Sequence, residues 1–212
     1  PGLIIDVYDR TAVIKLDGGA PQAFYQPDGI ANWLQQELAV ERVVLRSRLR
    51  DSKKVNRDST GHASTPTAEI LLGTRPSHPV PFLENGLRFY ADVLQGQKTG
   101  FFLDQRDNRN LIRHISRSRR VLNLFSFNGG FSVAAGAGQA QHVTSVDIAR
   151  PAIDDAAILW RENNLPESDH AGVVAECFGV LEAAGGAKEE WGLVLCDPPS
   201  FAPSEKVRDR AL

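Results

Sequence analysis

The chain has no methionine at any of its 212 positions, the first included, and only two cysteines, Cys177 and Cys196. Two cysteines build no disulfide framework, which excludes the small stapled scaffolds of secreted proteins and fits a reducing, cytoplasmic setting. Long apolar runs are missing as well. The longest are of strand length, so no segment reads as a membrane span, and no basic-then-apolar leader suggests export. Internal repeats and low-complexity tracts are absent, and no metal site is expected. Without an initiating Met, and with Pro1 almost inside a strand, the chain is expected to be a fragment cut at both ends.

What is present describes an ordinary globular protein, 42% hydrophobic and 24% charged, long enough for one large domain or two small ones. The net charge of −2 hides an uneven distribution. Residues 42–57 hold seven basic side chains (Arg42, Arg46, Arg48, Arg50, Lys53, Lys54, Arg57) against Asp51 alone. Residues 147–190 hold ten acids against Arg150, Arg161 and Lys188. A basic front half on an acidic back half suggests that a polyanion meets the front.

Residues 3–8 and 12–16 are β-branched-rich strand candidates joined by a tight Asp9-Arg10 turn. Ile30, Trp33, Leu34 and Leu38 recur at helical spacing over 27–38, with Asp28 as a candidate cap. Residues 42–45 read as a short strand and 49–68 as a polar, mobile loop. Asn85-Gly86 between the apolar runs 79–83 and 87–93 predicts a hairpin. Strands and helices then alternate: helix 105–115, strand 121–125, helix 131–137, strand 142–146, helix 151–164, strand 173–174, helix 178–184, strand 193–196. Such alternation means a parallel, doubly wound α/β sheet with ligands at the carboxyl ends of its strands. Asn128, Asp147, Glu176 and Asp197 all fall on that edge.

The strand 121–125 runs into Ser126-Phe127-Asn128-Gly129-Gly130, and the next strand ends on Asp147, 18 residues beyond Gly129. Strand, glycine turn, helix, strand and terminal acid is the layout that holds an adenosine-containing cofactor, the acid taking the ribose hydroxyls. The dehydrogenase spacing Gly-x-Gly-x-x-Gly is not there; Gly138, at the helix end, reads as a C-terminal cap. Glu176 either reaches the adenine amino group or is an ordinary solvated carboxylate. Phe178 either lines the ring pocket or packs in the core. Asp197-Pro198-Pro199-Ser200-Phe201 ends the fourth strand, because consecutive prolines cannot donate ladder hydrogen bonds. The rigid loop that follows suits a flat base, held by backbone groups and stacked on Phe201. Asp-Pro-Pro in this place points to methyl transfer. Cys196 reads as a buried, inert strand residue, and Cys177 lies beside the third strand near the cofactor.

The stretch 96–106 frames a turn between two glycines and leads into a helix on which Asp104 can cap. Arg106, Arg109, Arg113, Arg117 and Arg120 follow at spacings of three and four, a stripe that either tracks phosphates or is a solvated helix face.

Lys98-Thr-Gly-Phe-Phe-Leu-Asp-Gln-Arg-Asp-Asn-Arg109, residues 121–132, Val146-Asp147 and 197–201 together resemble the ribosomal RNA large subunit methyltransferase I family. The resemblance covers nearly the whole chain. It implies a class I S-adenosylmethionine-dependent enzyme that forms 5-methylcytosine in large-subunit ribosomal RNA. It implies a small α+β domain at 1–88, able to contact RNA, and a Rossmann-like methyltransferase domain at 89–212. That domain's sheet is expected to be incomplete after the fourth strand. An RNA-binding PUA domain is expected ahead of Pro1, and a nucleophilic cysteine in a Ser-Cys-Ser segment beyond Leu212. Cofactor contacts are implied for Thr99, Phe102, Asp104 and Arg106; Asn123, Phe125, Ser126, Asn128 and Gly129; Asp147 and Ile148; Glu176, Cys177 and Phe178; and Asp197. Asp197 and Pro199 would position the base. Arg46, Arg48, Arg50, Lys53, Lys54, Arg109 and Arg113 would hold the RNA. Asn128 stands where relatives often have Thr, and Glu176 where Asp is usual; both keep hydrogen-bonding capacity. Alternatives are a ribosomal RNA guanine methyltransferase acting at N2 or N7, and a catalytically inactive RNA-binding fragment.

Overall fold

The computed structural model describes residues 2–47, 67–187 and 189–199. The chain divides into two compact units, Pro1–Glu84 with Phe89–Asp104, and Asn85–Arg88 with Gln105–Leu212. The division expected at residue 88 differs from this one by the segments 85–88 and 89–104, which change places. Phe89 and Phe101 pack with Phe82 and Tyr8 at centroid separations of 5.0–5.9 Å, and this aromatic cluster ties the segment 89–104 to the first unit.

In the first unit, β1 (Leu3–Tyr8), β2 (Thr11–Leu16), β3 (Arg42–Ser47) and β4 (Thr67–Leu72) form one sheet in that order. β1 and β2 are antiparallel across the two-residue turn at Asp9-Arg10, with Asp9 at a positive φ of 51°. β2 and β3 are parallel, and α1 (Gly19–Phe24) and α2 (Pro27–Leu38) lie between them in sequence. Proline in the first turn of α2 costs no hydrogen bond, because that N–H has no partner inside the helix. Ala31 and Leu34 are buried against Ile14, Val43 and Leu45, and burying a leucine of this kind contributes roughly 1.5–3 kcal/mol. Trp33 and Leu38, expected on the same stripe, are more than half exposed. Trp33 lies about 100° of helical turn away from Leu34, off the edge of the buried face. β5 (Val80–Glu84) and β6 (Leu87–Ala91) form the expected hairpin around Asn85-Gly86, both at positive φ. α1 and β4 were not expected. The polar stretch assigned to a loop at 49–68 lies outside the described residues as far as 66, and its last two residues open β4.

The second unit holds α3 (Arg106–Ile115), β7 (Arg120–Leu124), α4 (Gly130–Ala137), β8 (His142–Asp147), α5 (Arg150–Glu162), β9 (His170–Val174), α6 (Cys177–Ala187) and β10 (Leu193–Cys196). All four strands are parallel, in the order β10-β7-β8-β9. This is the doubly wound α/β sheet that the alternation predicts. α3 ends at Ile115, so Arg117 and Arg120 are not on that helix and the five-arginine stripe is broken. α4 is built almost wholly of small residues, five of them buried. Gly138 is the C-cap of α4, as expected, with a negative φ of −80°, and the αL residue is Gln139 (φ 63°) after it. Gly138 has a packing reason as well: a Cβ there would stand 2.0 Å from the carbonyl oxygen of Arg113. Among the described residues no helix is long and apolar enough to cross a membrane.

Candidate functional site

Strand register places the candidate residues of the second unit on one edge. Cys196 lies beside Leu124, Leu124 beside Val146, and Val146 beside Val173. The next residues along these strands are Asp197, Phe125, Asp147 and Val174, with Glu176 two further on. Strands are about 4.8 Å apart, so this rim is roughly 14 Å across, the scale of an adenosyl group with its amino-acid tail. Asn128, Asp147, Glu176 and Asp197 therefore share one edge, as the alternation required.

The turn after β7 is the most constrained backbone in the unit. Phe125 (φ 55°), Phe127 (φ 48°) and Gly129 (φ 80°) are all left-handed, and two of the three are bulky aromatics. Each non-glycine residue held there costs about 1–3 kcal/mol, so its surroundings must hold it. The Ser126 N–H donates to the Val146 carbonyl at 2.9 Å, and the Gly129 N–H to the Ser126 carbonyl at 2.9 Å. Asp147 is the third fastening: its Oδ2 accepts the Phe127 N–H and its Oδ1 the Ala149 N–H, each at 2.9 Å. The acid is thereby oriented before any ligand arrives, with lone pairs on both oxygens still available. The hydroxyl of Ser126 is buried and has no hydrogen-bond partner among the described residues. A buried unsatisfied hydroxyl is rare in a folded protein and fits a contact made by a ligand. Gly129 has a packing reason beside its φ: a Cβ would meet the Ala156 Cβ of α5 at 2.6 Å.

Apolar side chains surround this rim in the open. Ile148 is 73% exposed, Phe178 50% and Phe127 40%, and Phe125 meets Phe178 edge to face at 5.8 Å. Exposed aromatics beside an oriented carboxylate could flank a flat ring. Glu176 is engaged locally: its two carboxylate oxygens accept the Phe178 and Gly179 N–H groups at 3.0 and 2.8 Å, capping α6. Cys177 is buried, and burial pushes its thiol pKa up. Cys196 is exposed, contrary to the expectation of a buried strand cysteine, because β10 has a strand on one side only among the described residues. Asp197 accepts a hydrogen bond from the Gln105 side chain at 3.2 Å, and Gln105 in turn accepts from Asn108 at 2.6 Å. Pro199 is exposed, while Ser200 and Phe201 lie outside the described residues.

Asn123 is not at the rim. It is 2% exposed, and its amide donates to Ser132 Oγ at 2.8 Å. Ser132 meets Ser145 Oγ at 2.6 Å, and Ser145 meets His170 Nε2 at 2.8 Å. The His170 ring stacks on Trp160 at 4.6 Å, and burial lowers its pKa to about 4. This polar chain across β7, α4, β8 and β9 was missed by sequence reasoning; single serines in apolar strands carry no signal of it.

The remaining expected contacts fall in the first unit, on α3 of the second unit, or outside the described residues. Thr99 is 1% exposed and bonded to the Tyr8 hydroxyl at 2.8 Å and to Asp6, and burial helps push the Tyr8 pKa up to about 12. Asp104 pairs with Lys98, whose ammonium also lies 4.7 Å from the Phe102 ring centroid. Arg46, expected on RNA, is 4% exposed and donates to the carbonyls of Val93 and Gly96. Its guanidinium clamps a loop, and desolvation lowers its pKa. Arg109, also expected on RNA, is 4% exposed on the inner face of α3. Arg113 is half-buried and donates to the Asn85 carbonyl at 2.9 Å, whereas Arg106 is exposed. Arg48, Arg50, Lys53 and Lys54 lie outside the described residues. Among the described residues no group of His, Cys, Asp and Glu is placed to hold a metal ion.

Comparison with known proteins agrees with this geometry. Residues 60–210 match the family described as S-adenosylmethionine-dependent methyltransferase. A ribosomal RNA large subunit methyltransferase of Deinococcus radiodurans is 45% identical over 144 residues, 68% of this chain and 35% of that protein. Ribosomal RNA large subunit methyltransferase I of Yersinia pseudotuberculosis is 33% identical over 205 residues, 97% of this chain and 50% of that protein. A solved structure assigned as a methyltransferase and complexed with SAH superposes with a TM-score of 0.78 at 28% identity, covering 97% of this chain and 50% of that one. The chain thus spans half or less of the length of these relatives. With a family match over most of its residues, the chain belongs to the S-adenosylmethionine-dependent methyltransferases.

Proposed function

We propose that the protein transfers a methyl group from S-adenosylmethionine to a base of large-subunit ribosomal RNA, forming 5-methylcytosine. The observation that carries the cofactor half is the turn 125–129, fastened by Asp147 and holding a buried Ser126 hydroxyl with no partner among the described residues. Relatives named as ribosomal RNA large subunit methyltransferases, at 45% and 33% identity, support the RNA half. The residues fit the cofactor: Asp147 takes the ribose hydroxyls, Ile148 and Phe178 flank the adenine, and Ser126 donates to a polar group of the tail. Asn128 and Gly129 present the backbone of the turn, and Glu176 acts by fixing the first turn of α6.

S-adenosylmethionine supplies an electrophilic methyl on a sulfonium, displaced in line. The chain's part is therefore alignment and exclusion of water. Asp197 and Pro199 border the place where a base would enter, and the Gln105 side chain holds Asp197 in position. Cytosine C5 is a poor nucleophile until a thiolate adds at C6, so the full reaction needs an activated cysteine. Cys177 is buried with its sulfur engaged and does not serve. By resemblance that cysteine belongs to a Ser-Cys-Ser segment outside these residues. RNA phosphates would be met by Arg106 and by the basic residues 48–54, in a cytoplasmic setting.

Mass spectrometry of ribosomal RNA from a deletion strain tests the product. Loss of one 5-methylcytosine from the large subunit supports it. Loss of a methylated guanine would instead establish the guanine enzyme, and no change would favour an inactive RNA-binding protein.

A further inference from the structure

Cys177, the first residue of α6, touches the ends of two strands at once. It is 3% exposed and packs with Leu122, Leu124 and Val146. Its sulfur accepts the Phe125 N–H at 3.2 Å, and its S–H is directed at the Val146 carbonyl at 3.8 Å. That carbonyl also accepts the Ser126 N–H at 2.9 Å. Thiol, Phe125, Ser126 and Val146 thus close a ring of hydrogen bonds where the β7–β8 ladder ends. Phe125 itself is left-handed there, with φ at 55°, and its N–H is the one the sulfur accepts. Removing the thiol takes this acceptor from the Phe125 N–H and one restraint from a residue whose φ is costly to hold.

We propose that Cys177 is a positioning residue for the methyl-donor site: its protonated thiol latches the left-handed turn that sets Ser126 and the Phe127 N–H opposite Asp147, without touching the cofactor. The proposal rests on the methyl-donor reading given above. Burial raises the pKa of the thiol and so keeps it protonated and able to donate at neutral pH. Deep burial also makes a nucleophilic role a poor fit.

Two substitutions in the intact protein separate latch from filler. Cys177→Val preserves the volume but neither donates nor accepts, whereas Cys177→Ser keeps a group that does both. Titration calorimetry with S-adenosylhomocysteine should show Cys177→Val weakened about tenfold and Cys177→Ser within about threefold of wild type. Melting curves on the same samples separate lost binding from lost stability, and the Phe125 amide should stay slow to exchange in Cys177→Ser and become faster in Cys177→Val. In the wild type, the Phe125 amide should exchange slowly before any cofactor is added. Equal binding by Cys177→Val, or affinity falling in step with melting temperature in both variants, overturns the proposal alone. A fast-exchanging Phe125 amide does the same, and serves if Cys177→Val fails to fold. Wild-type protein that binds no S-adenosylhomocysteine overturns the methyl-donor reading and this proposal with it.

Discussion

Replacing Asp147 with alanine perturbs two things that the structure joins in one carboxylate. The first is the turn: the Phe127 and Ala149 N–H groups lose a charged acceptor at 2.9 Å. Hydrogen bonds to a charged group contribute about 1.5–3 kcal/mol when buried, but this side chain is only half-buried and water can replace part of each. About 1 kcal/mol per bond gives a loss of about 2 kcal/mol, which for a protein of this size lowers the melting temperature by roughly 4–8 °C. The second is the ligand. On the proposed reading the remaining lone pairs of the carboxylate take two ribose hydroxyls, each worth about 1 kcal/mol net, so affinity should fall roughly 10- to 30-fold. Calorimetric titration with S-adenosylmethionine and a thermal melt on the same sample read both. Asp147→Asn keeps the shape and one acceptor, so it should fall between wild type and alanine in each assay. Lowered melting with unchanged affinity would show that Asp147 staples the turn and nothing more, and would remove the ribose contact.

Gly129→Ala places a Cβ 2.6 Å from the Ala156 Cβ at a φ of 80°, and should cost about 2–4 kcal/mol in urea unfolding; a loss below about 1 kcal/mol would mean that α5 moves aside freely. His170, with its pKa lowered from 6.5 to about 4, binds fewer protons folded than unfolded between those values. Stability is therefore flat above pH 6.5 and falls by about 2–3 kcal/mol on going down to pH 4, and His170→Phe should flatten that slope in unfolding curves taken across the range. A slope unchanged by the substitution would assign it to other groups. Cys196→Ser should keep methylation of ribosomal RNA within about threefold, since a serine fills the same exposed position at the end of β10. Abolished transfer, with the cofactor still bound, would make Cys196 the nucleophile.

Local pattern made much of this molecule legible. Asn85-Gly86 between apolar runs can hardly be anything but a tight hairpin turn, because both residues tolerate positive φ. The alternation from residue 105 onward set four parallel strands, and parallel strands share one carboxyl edge whatever their order. That is why Asp147 and Asp197 could be assigned to a common rim from spacing alone. α1 escaped notice because Gly-Ala-Pro-Gln-Ala-Phe has no apolar period and buries nothing. β4 escaped because its signal is antiparallel pairing with β3, a partner far away in the chain.

Charge was the poorest guide. A run of arginines states how many guanidinium groups exist and not which way each one points. Arg46 turned inward to cap carbonyls of Val93 and Gly96, and Arg109 turned inward on α3, while Arg106 three residues before it stayed in water. Glu176 likewise met the first N–H groups of α6. The sequence by itself determined the alternation, the glycine turn and the edge on which the acids stand, since these follow from periods of 2 and 3.6 residues and from backbone sterics. Only the tertiary structure decided the sheet order, the burial of Arg46, Arg109 and Asn123, and the ring of hydrogen bonds through Cys177. Those depend on which distant residues come within 3–4 Å, and no spacing along the chain encodes that distance.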